Sequence, residues 1–202
     1  SLLTHETNGL VSVTDENLTV GSGTDQNISV ANAILLAATT SGTVTSAIDT
    51  TESVDSLKTL YDTSETNAYT ITITSNAADT QLSTAAEFNA INNATSLAVN
   101  ATSVTALASS NISDIKTLLT AGNDTDQFTA TSFSSLATVA VADSTLDVSD
   151  LNDSIAQANT ATGGTSTTFT ISSGGTINGG TAAEFTTLLG YESGTQISIA
   201  NQ

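Results

Sequence analysis

Carboxylates are the residues of this chain best placed to do chemistry. Asn123-Asp124-Thr125-Asp126-Gln127 alternates oxygen donors along a short segment, and Asp143, Asp147, Asp150 and Asp153 crowd a second stretch. Calcium is a hard cation that takes carboxylate, amide and carbonyl oxygens, so Asp124, Asp126, Asp143 and Asp147 are the calcium candidates. Neither stretch has the spacing of an EF-hand loop or of the glycine-rich nonapeptide of calcium-bound β-rolls. Each also has a plain structural reading. The first is a solvated turn, and the second is the opening of a helix, where Asp150 and Asp153 suit the helix dipole.

Little else points to a reaction. His5 is the only histidine and sits in a polar segment, and there is no cysteine. Neither a thiol nucleophile nor a histidine metal triad can therefore be assembled. A Ser-His-Asp arrangement would have to run through His5, and no Gly-x-Ser-x-Gly elbow is present. Gly21-Ser22-Gly23, Gly174-Gly175 and Gly179-Gly180 read as turns, since none leads into a lysine and a helix as a phosphate loop does. The expectation is a protein that is not an enzyme.

Charge excludes more partners. The 202 residues hold 2 Lys+Arg against 20 Asp+Glu, for a net charge of -18. Binding to phosphate backbones is driven by cations that release counterions, so nucleic acid is excluded as a partner, and anionic membrane surfaces with it. No apolar run approaches the roughly 18–20 residues of a spanning helix, so no membrane insertion is expected. Hydrophobic residues make up 38% and charged ones 11%, a balance that favours a folded chain over a disordered one. Ser1 in place of Met points to a processed chain or an excised segment. Together with the missing cysteines, this is compatible with an extracellular, cell-surface setting.

The elements that must position these carboxylates are marked by a repeated pentapeptide. Thr-Ala-Ala-Glu-Phe occurs at Thr84–Phe88 and again at Thr181–Phe185. A cap threonine followed three residues later by glutamate is a capping box, in which each side chain satisfies the other's backbone amide. Apolar stripes at helical spacing follow, with Phe88 and Ile91 in one copy and Phe185, Leu188 and Leu189 in the other. Further stripes run through Val30, Ala33, Ile34 and Ala37, and through Val54, Leu57, Leu60 and Tyr61. Two more follow at Ile112, Ile115, Leu118 and Leu119, and at Leu151, Ile155 and Ala158. Asn111 and Ser149 are read as caps of the last two.

Short alternating segments centred near Leu18, Val44, Ile71, Leu97, Val139, Thr170 and Ser198 read as strands. Phe128 to Ala130 is a further candidate inside the one wide gap. The beat is about 27 residues per strand and helix, the period of a repeat architecture. Ser56-Leu57-Lys58-Thr59-Leu60 echoes Asp114-Ile115-Lys116-Thr117-Leu118 and sets both lysines at equivalent places, which suggests duplication of a two-turn unit.

The spacing Leu136, Val139, Val141, Ser144, Leu146 resembles that of a leucine-rich repeat, as does Ala94, Leu97, Val99, Thr102, Val104, with Ser or Thr at the usual Asn. That resemblance implies coils stacked side by side. The strand, Thr-Ala-Ala-Glu, apolar helix and strand pattern over 70–99 and 168–199 resembles the Thr/Ser/Ala/Asp-rich repeats of large bacterial extracellular proteins of surface-layer, filament or adhesin type. This implies a structural role at a cell surface.

The expected fold is therefore an α/β solenoid-like stack of about 27-residue strand-helix units with a mainly parallel sheet, the alternative being a two-layer α/β sandwich. Residues 1–202 are read as a single elongated domain, with a strand or cap over 1–16, regular repeats over 17–126, and less regular repeats over 127–202 ending in a strand. The expected function is a secreted structural subunit that self-assembles into a filament or surface array. Its terminal strands would act as sticky edges through Leu10, Val11, Val13, Ile197 and Ile199. The alternative is a calcium-stabilised repeat module of a large cell-surface adhesin.

Overall fold

The computed structural model describes residues 12–20, 27–60, 67–74, 83–164, 167–171 and 174–199. His5, Leu10, Val11, Tyr61 and the glycines at 21 and 23 lie outside the described residues.

Six α-helices are present among the described residues, and five of them start at a side chain that caps them. α1 (Val30–Thr39) follows Ser29, and α2 (Val54–Leu57) follows Ser53 and tightens into a 3-10 turn at Lys58–Leu60. α3 (Ala85–Asn92) and α6 (Ala182–Ser193) carry the repeated pentapeptide, and both capping boxes are formed. The Glu87 and Glu184 amides each donate to the cap threonine at 3.3 Å. Their carboxylates accept in return from the amides of Thr84 and Thr181, at 2.8 and 2.6 Å. α5 (Val148–Thr162) is capped by Asp147, whose carboxylate accepts from the Ser149 amide, so Ser149 lies inside the helix rather than ahead of it. α4 (Ile112–Gly122) is the exception: Asn111 holds the cap position but makes no side-chain cap bond.

Ten strands are described: β1 (Leu18–Thr19), β2 (Asn27–Ile28), β3 (Val44–Ile48), β4 (Ala68–Thr70), β5 (Ala106–Ser110), β6 (Thr138–Val141), β7 (Thr145–Asp147), β8 (Thr168–Ile171), β9 (Thr176–Asn178) and β10 (Ile197–Ser198). One sheet places β3 between β1 and β2 with β4 also on β3, a second runs β10-β8-β6-β5, and β7 pairs with β9. Every pairing among the described strands is parallel. Isolated parallel bridges at Thr72↔Asn100 and Val99↔Phe128 lie between the two larger sheets. Partners are about one coil apart in the chain: Leu18 meets Val44, Thr138 meets Thr168, and Phe169 meets Ile197.

The fold is thus α/β, with parallel sheets and helices, and is compatible with a two-layer arrangement. The helices pack in chain order. α3 lies against α2 and its 3-10 turn, α4 against α3, α5 against α4, and α6 against α5. Between helices and strands runs one continuous buried cluster, from Val30 and Val44 through Phe88, Leu118, Val139 and Ile155 to Ile197. Alternation along β3 and β8 turns Val44 and Ile48, and Phe169 and Ile171, inward. Ala33, Ala85, Ala101 and Ala158 are fully buried, which lets neighbouring layers approach closely.

Two strand expectations shift. Leu97 is 41% exposed and sits in a bend, and only Val99 and Asn100 beyond it make bridges. The strand of that coil is β5, further along the chain. Phe128 makes a single bridge rather than a strand.

Candidate functional site

The four calcium candidates are not brought together. Asp124 closes its own turn, its two carboxylate oxygens accepting from the Asp126 amide at 3.0 Å and from the Gln127 side chain at 3.2 Å. Asp126 is exposed. Asp143 instead accepts from the Ile112 amide at 2.6 Å, supplying from the following coil the cap that Asn111 does not make. Asp147 caps α5, and its hydrogen bonds with the Ser149 hydroxyl and then the Ser149 amide hold its carboxyl below the ordinary range. Among the described residues no group of three or more His, Cys, Asp or Glu could hold a metal ion.

The assembly candidates are placed unevenly. Val13 lies outside any strand and is 7% exposed, buried rather than offered at an edge. Ile197 is in β10, the outermost strand of its sheet, and its side chain is buried. Ile199 follows it, packs against the core, and donates its amide to the Glu192 carboxylate at 3.3 Å.

What the side chains do build is a ladder of polar rungs between successive helices. From α2 to α5, the residue five past the cap reaches the residue three past the next helix's cap. Lys58 of the α2 turn bonds the Glu87 carboxylate of α3 at 2.6 Å. Asn89 of α3 donates to the Asp114 carbonyl of α4 at 3.1 Å. Lys116 of α4 bonds the Asp150 carboxylate of α5 at 2.8 Å. Asn152 of α5 donates to the Glu184 carbonyl of α6 at 2.9 Å. Lysine and asparagine alternate, so the chemistry repeats every two coils. The echo of the lysines marked this period; the asparagines between them are found only by counting inward from each cap.

Each lysine also takes a second carboxylate, Asp55 at 2.5 Å for Lys58 and Asp153 at 2.8 Å for Lys116. Those hydrogen bonds, donated to Asp55 then Glu87 by Lys58 and to Asp150 then Asp153 by Lys116, hold both ammonium groups above their ordinary pKa. A groove of about 550 Å³ runs beside Lys116, with Ser113, Thr117 and Thr120 on its wall. Its cation is already held by two carboxylates, so the groove has no spare positive charge for an anionic ligand.

Glu87 carries the rung with the sharpest pH signature. Burial alone pushes its carboxyl up, but Lys58 and the amide and hydroxyl of Thr84 outweigh it and hold the group below its ordinary 4.5. A depressed folded pKa means that the stabilisation is complete above the unfolded value and is lost as pH falls through the folded one. Glu87→Gln keeps the capping box but removes the charge. The melting-temperature gap between wild type and this variant is expected to be widest near about pH 7 and to close as pH falls below 4.5 and through the folded Glu87 value. A gap that stays constant across that range would show that the rung does not depend on the Glu87 charge.

Polar rungs also join the loops: Asn123 donates to the Gln157 side chain at 2.6 Å, and the Val44 amide donates to Asn67 at 2.9 Å. Helix starts are covered from the following coil as well, Val30 by Glu52 and Ala85 by Ser110, both at 2.9 Å.

The ladder stops at α6. Thr186, five past the last cap, is exposed. Beside it Phe185 is 38% and Leu189 54% exposed, and with Ile177, Leu188 and Ile199 they line an apolar hollow of about 200 Å³. In α3 the matching Phe88 is fully buried and meets the Phe133 ring edge-on at 6.1 Å. At the other end α1 exposes Leu35 at 53%. No helix among the described residues is long and apolar enough to cross a membrane.

Comparison with protein-family models, with curated proteins and with solved structures finds no match to this chain.

Proposed function

We propose that this chain is a structural subunit: a solenoid of strand-helix coils that assembles head to tail into an extracellular filament or surface array and carries out no catalysis. One observation carries the reading. From α2 onward each helix is joined to the next through the same rung, and the last described helix repeats the sequence of α3 with its phenylalanine left open. In a stack where each unit touches mainly its neighbours, an uncovered end is a template for another unit. An interface between different surfaces at the two ends does not close, so it propagates as a fibre.

The net charge of -18 opposes association at low salt. At about 0.5 M salt the Debye length falls to roughly 4 Å, and contact between apolar ends outweighs the residual repulsion. Sedimentation and electron microscopy of the purified chain are expected to show polymers whose length grows with salt. A sample that stays monomeric from low to high salt, with and without calcium, would overturn the reading.

A further inference from the structure

We infer that the joint between subunits is made by the helical layer, with the outer face of α6 on one copy seated against the outer face of α1 on the next. This rests on the assembly reading above and adds the partner surfaces and their register.

The occupant of the α6 face is argued from the chain's own interior. α3 and α6 share Thr-Ala-Ala-Glu-Phe and the same capping box. The face of α3 that holds Phe88 is closed by a following coil of this same protein. The chemistry that covers Phe185 is therefore another strand-helix coil with a small apolar helix, and among the described residues α1 is such a helix and exposes Leu35. Its ten residues, Val-Ala-Asn-Ala-Ile-Leu-Leu-Ala-Ala-Thr, hold no charge. It alone among the six helices has no acid in its first turn, whereas α2 to α6 carry Asp55, Glu87, Asp114, Asp150 and Glu184.

That difference matters for a chain of net charge -18. A helix with an acid in its first turn would bring a further carboxylate to the end of an already acidic chain, and like charges at an interface select against wrong partners. The rung rule supplies the register. Carried across the joint, it sets Thr186 of one copy against Asn32 of the next, since Asn32 lies three past the Ser29 cap. Both are short, uncharged and exposed within the single chain. Leu35 of one copy then meets Phe185 and Leu189 of the other, closing the apolar hollow.

Two variants test the pairing, each altering side chains that are well exposed so that the fold is kept, which circular dichroism checks. Leu35→Ser spoils the α1 face only, and Phe185→Ser with Leu189→Ser spoils the α6 face only. Each alone at high salt is expected to lose polymerisation at least tenfold by sedimentation. Mixed in equal amounts they are expected to form a one-to-one dimer, because each still offers the face that the other needs. Variants that polymerise like wild type would overturn this joint while leaving assembly by another surface standing. Variants that are monomeric both alone and mixed would overturn the α6-to-α1 pairing. A wild type that never polymerises would overturn the assembly reading itself, and this joint with it.

Discussion

Phe88→Ala is expected to lower the stability of the dissolved monomer by about 3–5 kcal/mol, the range for truncating a fully buried aromatic ring. The same change at Phe185 is expected to cost less than about 1.5 kcal/mol, because a side chain that stays in contact with water has less transfer free energy to lose. The two residues occupy the same place in the same pentapeptide, so local sequence, cap and helix propensity are matched. What differs is cover. Phe88 is fully buried and meets Phe133, which in turn meets Phe128 at 5.0 Å, an aromatic cluster in the middle of the core. Phe185 is 38% exposed. Urea unfolding in low salt reads both numbers. Equal losses would mean that α6 is covered in solution as α3 is, and that its face is not open in the monomer.

Gly180→Ala is the second large effect. Gly180 sits between β9 and α6 with φ 75, and a β-carbon there would lie 2.1 Å from Val148 Cγ1 and 2.8 Å from the Glu184 carboxylate. The left-handed backbone costs an alanine about 1–2 kcal/mol. Displacing the fully buried Val148 adds about 1–3 kcal/mol. The coil from β9 to β10 is bound to the rest through α5, β7 and β8, so it opens before the whole chain does. Amide exchange across Ala182–Ser193 should therefore quicken by at least tenfold while α3 and α4 stay protected. Gly190→Ala, where a β-carbon would meet nothing within 4 Å, is the control and should leave exchange unchanged or slower. Unchanged exchange in Gly180→Ala would show that the turn relaxes without disturbing the seat of α6.

Helices were the legible part of this sequence because their signals are local. Each capping box needs only two side chains three apart, and the apolar stripes after Thr84, Asn111 and Thr181 fall where α3, α4 and α6 run. Strands were harder. β5 reads Ala-Leu-Ala-Ser-Ser, with no β-branched residue to mark it, and its pairing with β6 comes from position in the coil rather than from composition. β7 hides inside the acidic stretch, where Asp147 is both the last strand residue and the cap of α5. The same dual use explains the carboxylates. Read along the chain, Asp143 and Asp147 crowd together as metal ligands do; in space each is spent on the start of a different helix. The rungs were half legible, since two lysines stand out among so few cations while Asn89 and Asn152 are lost among many asparagines.

The parallel pairing of strands about one coil apart in the chain also decides how the molecule answers tension. The hydrogen bonds between coils run toward the neighbouring coil, so a pull between the first and last coils loads the contacts between successive coils in series. The weakest gives way first, and the parts of the shared apolar core on either side of it hold until their own contacts are loaded. Each coil that lets go pays out about 27 residues, or about 90–100 Å of extended chain. Force-extension traces would record this as a train of similar steps, where loss of the whole core at once would give one large rupture. Under a sustained load the chain would lengthen step by step before it unfolded completely.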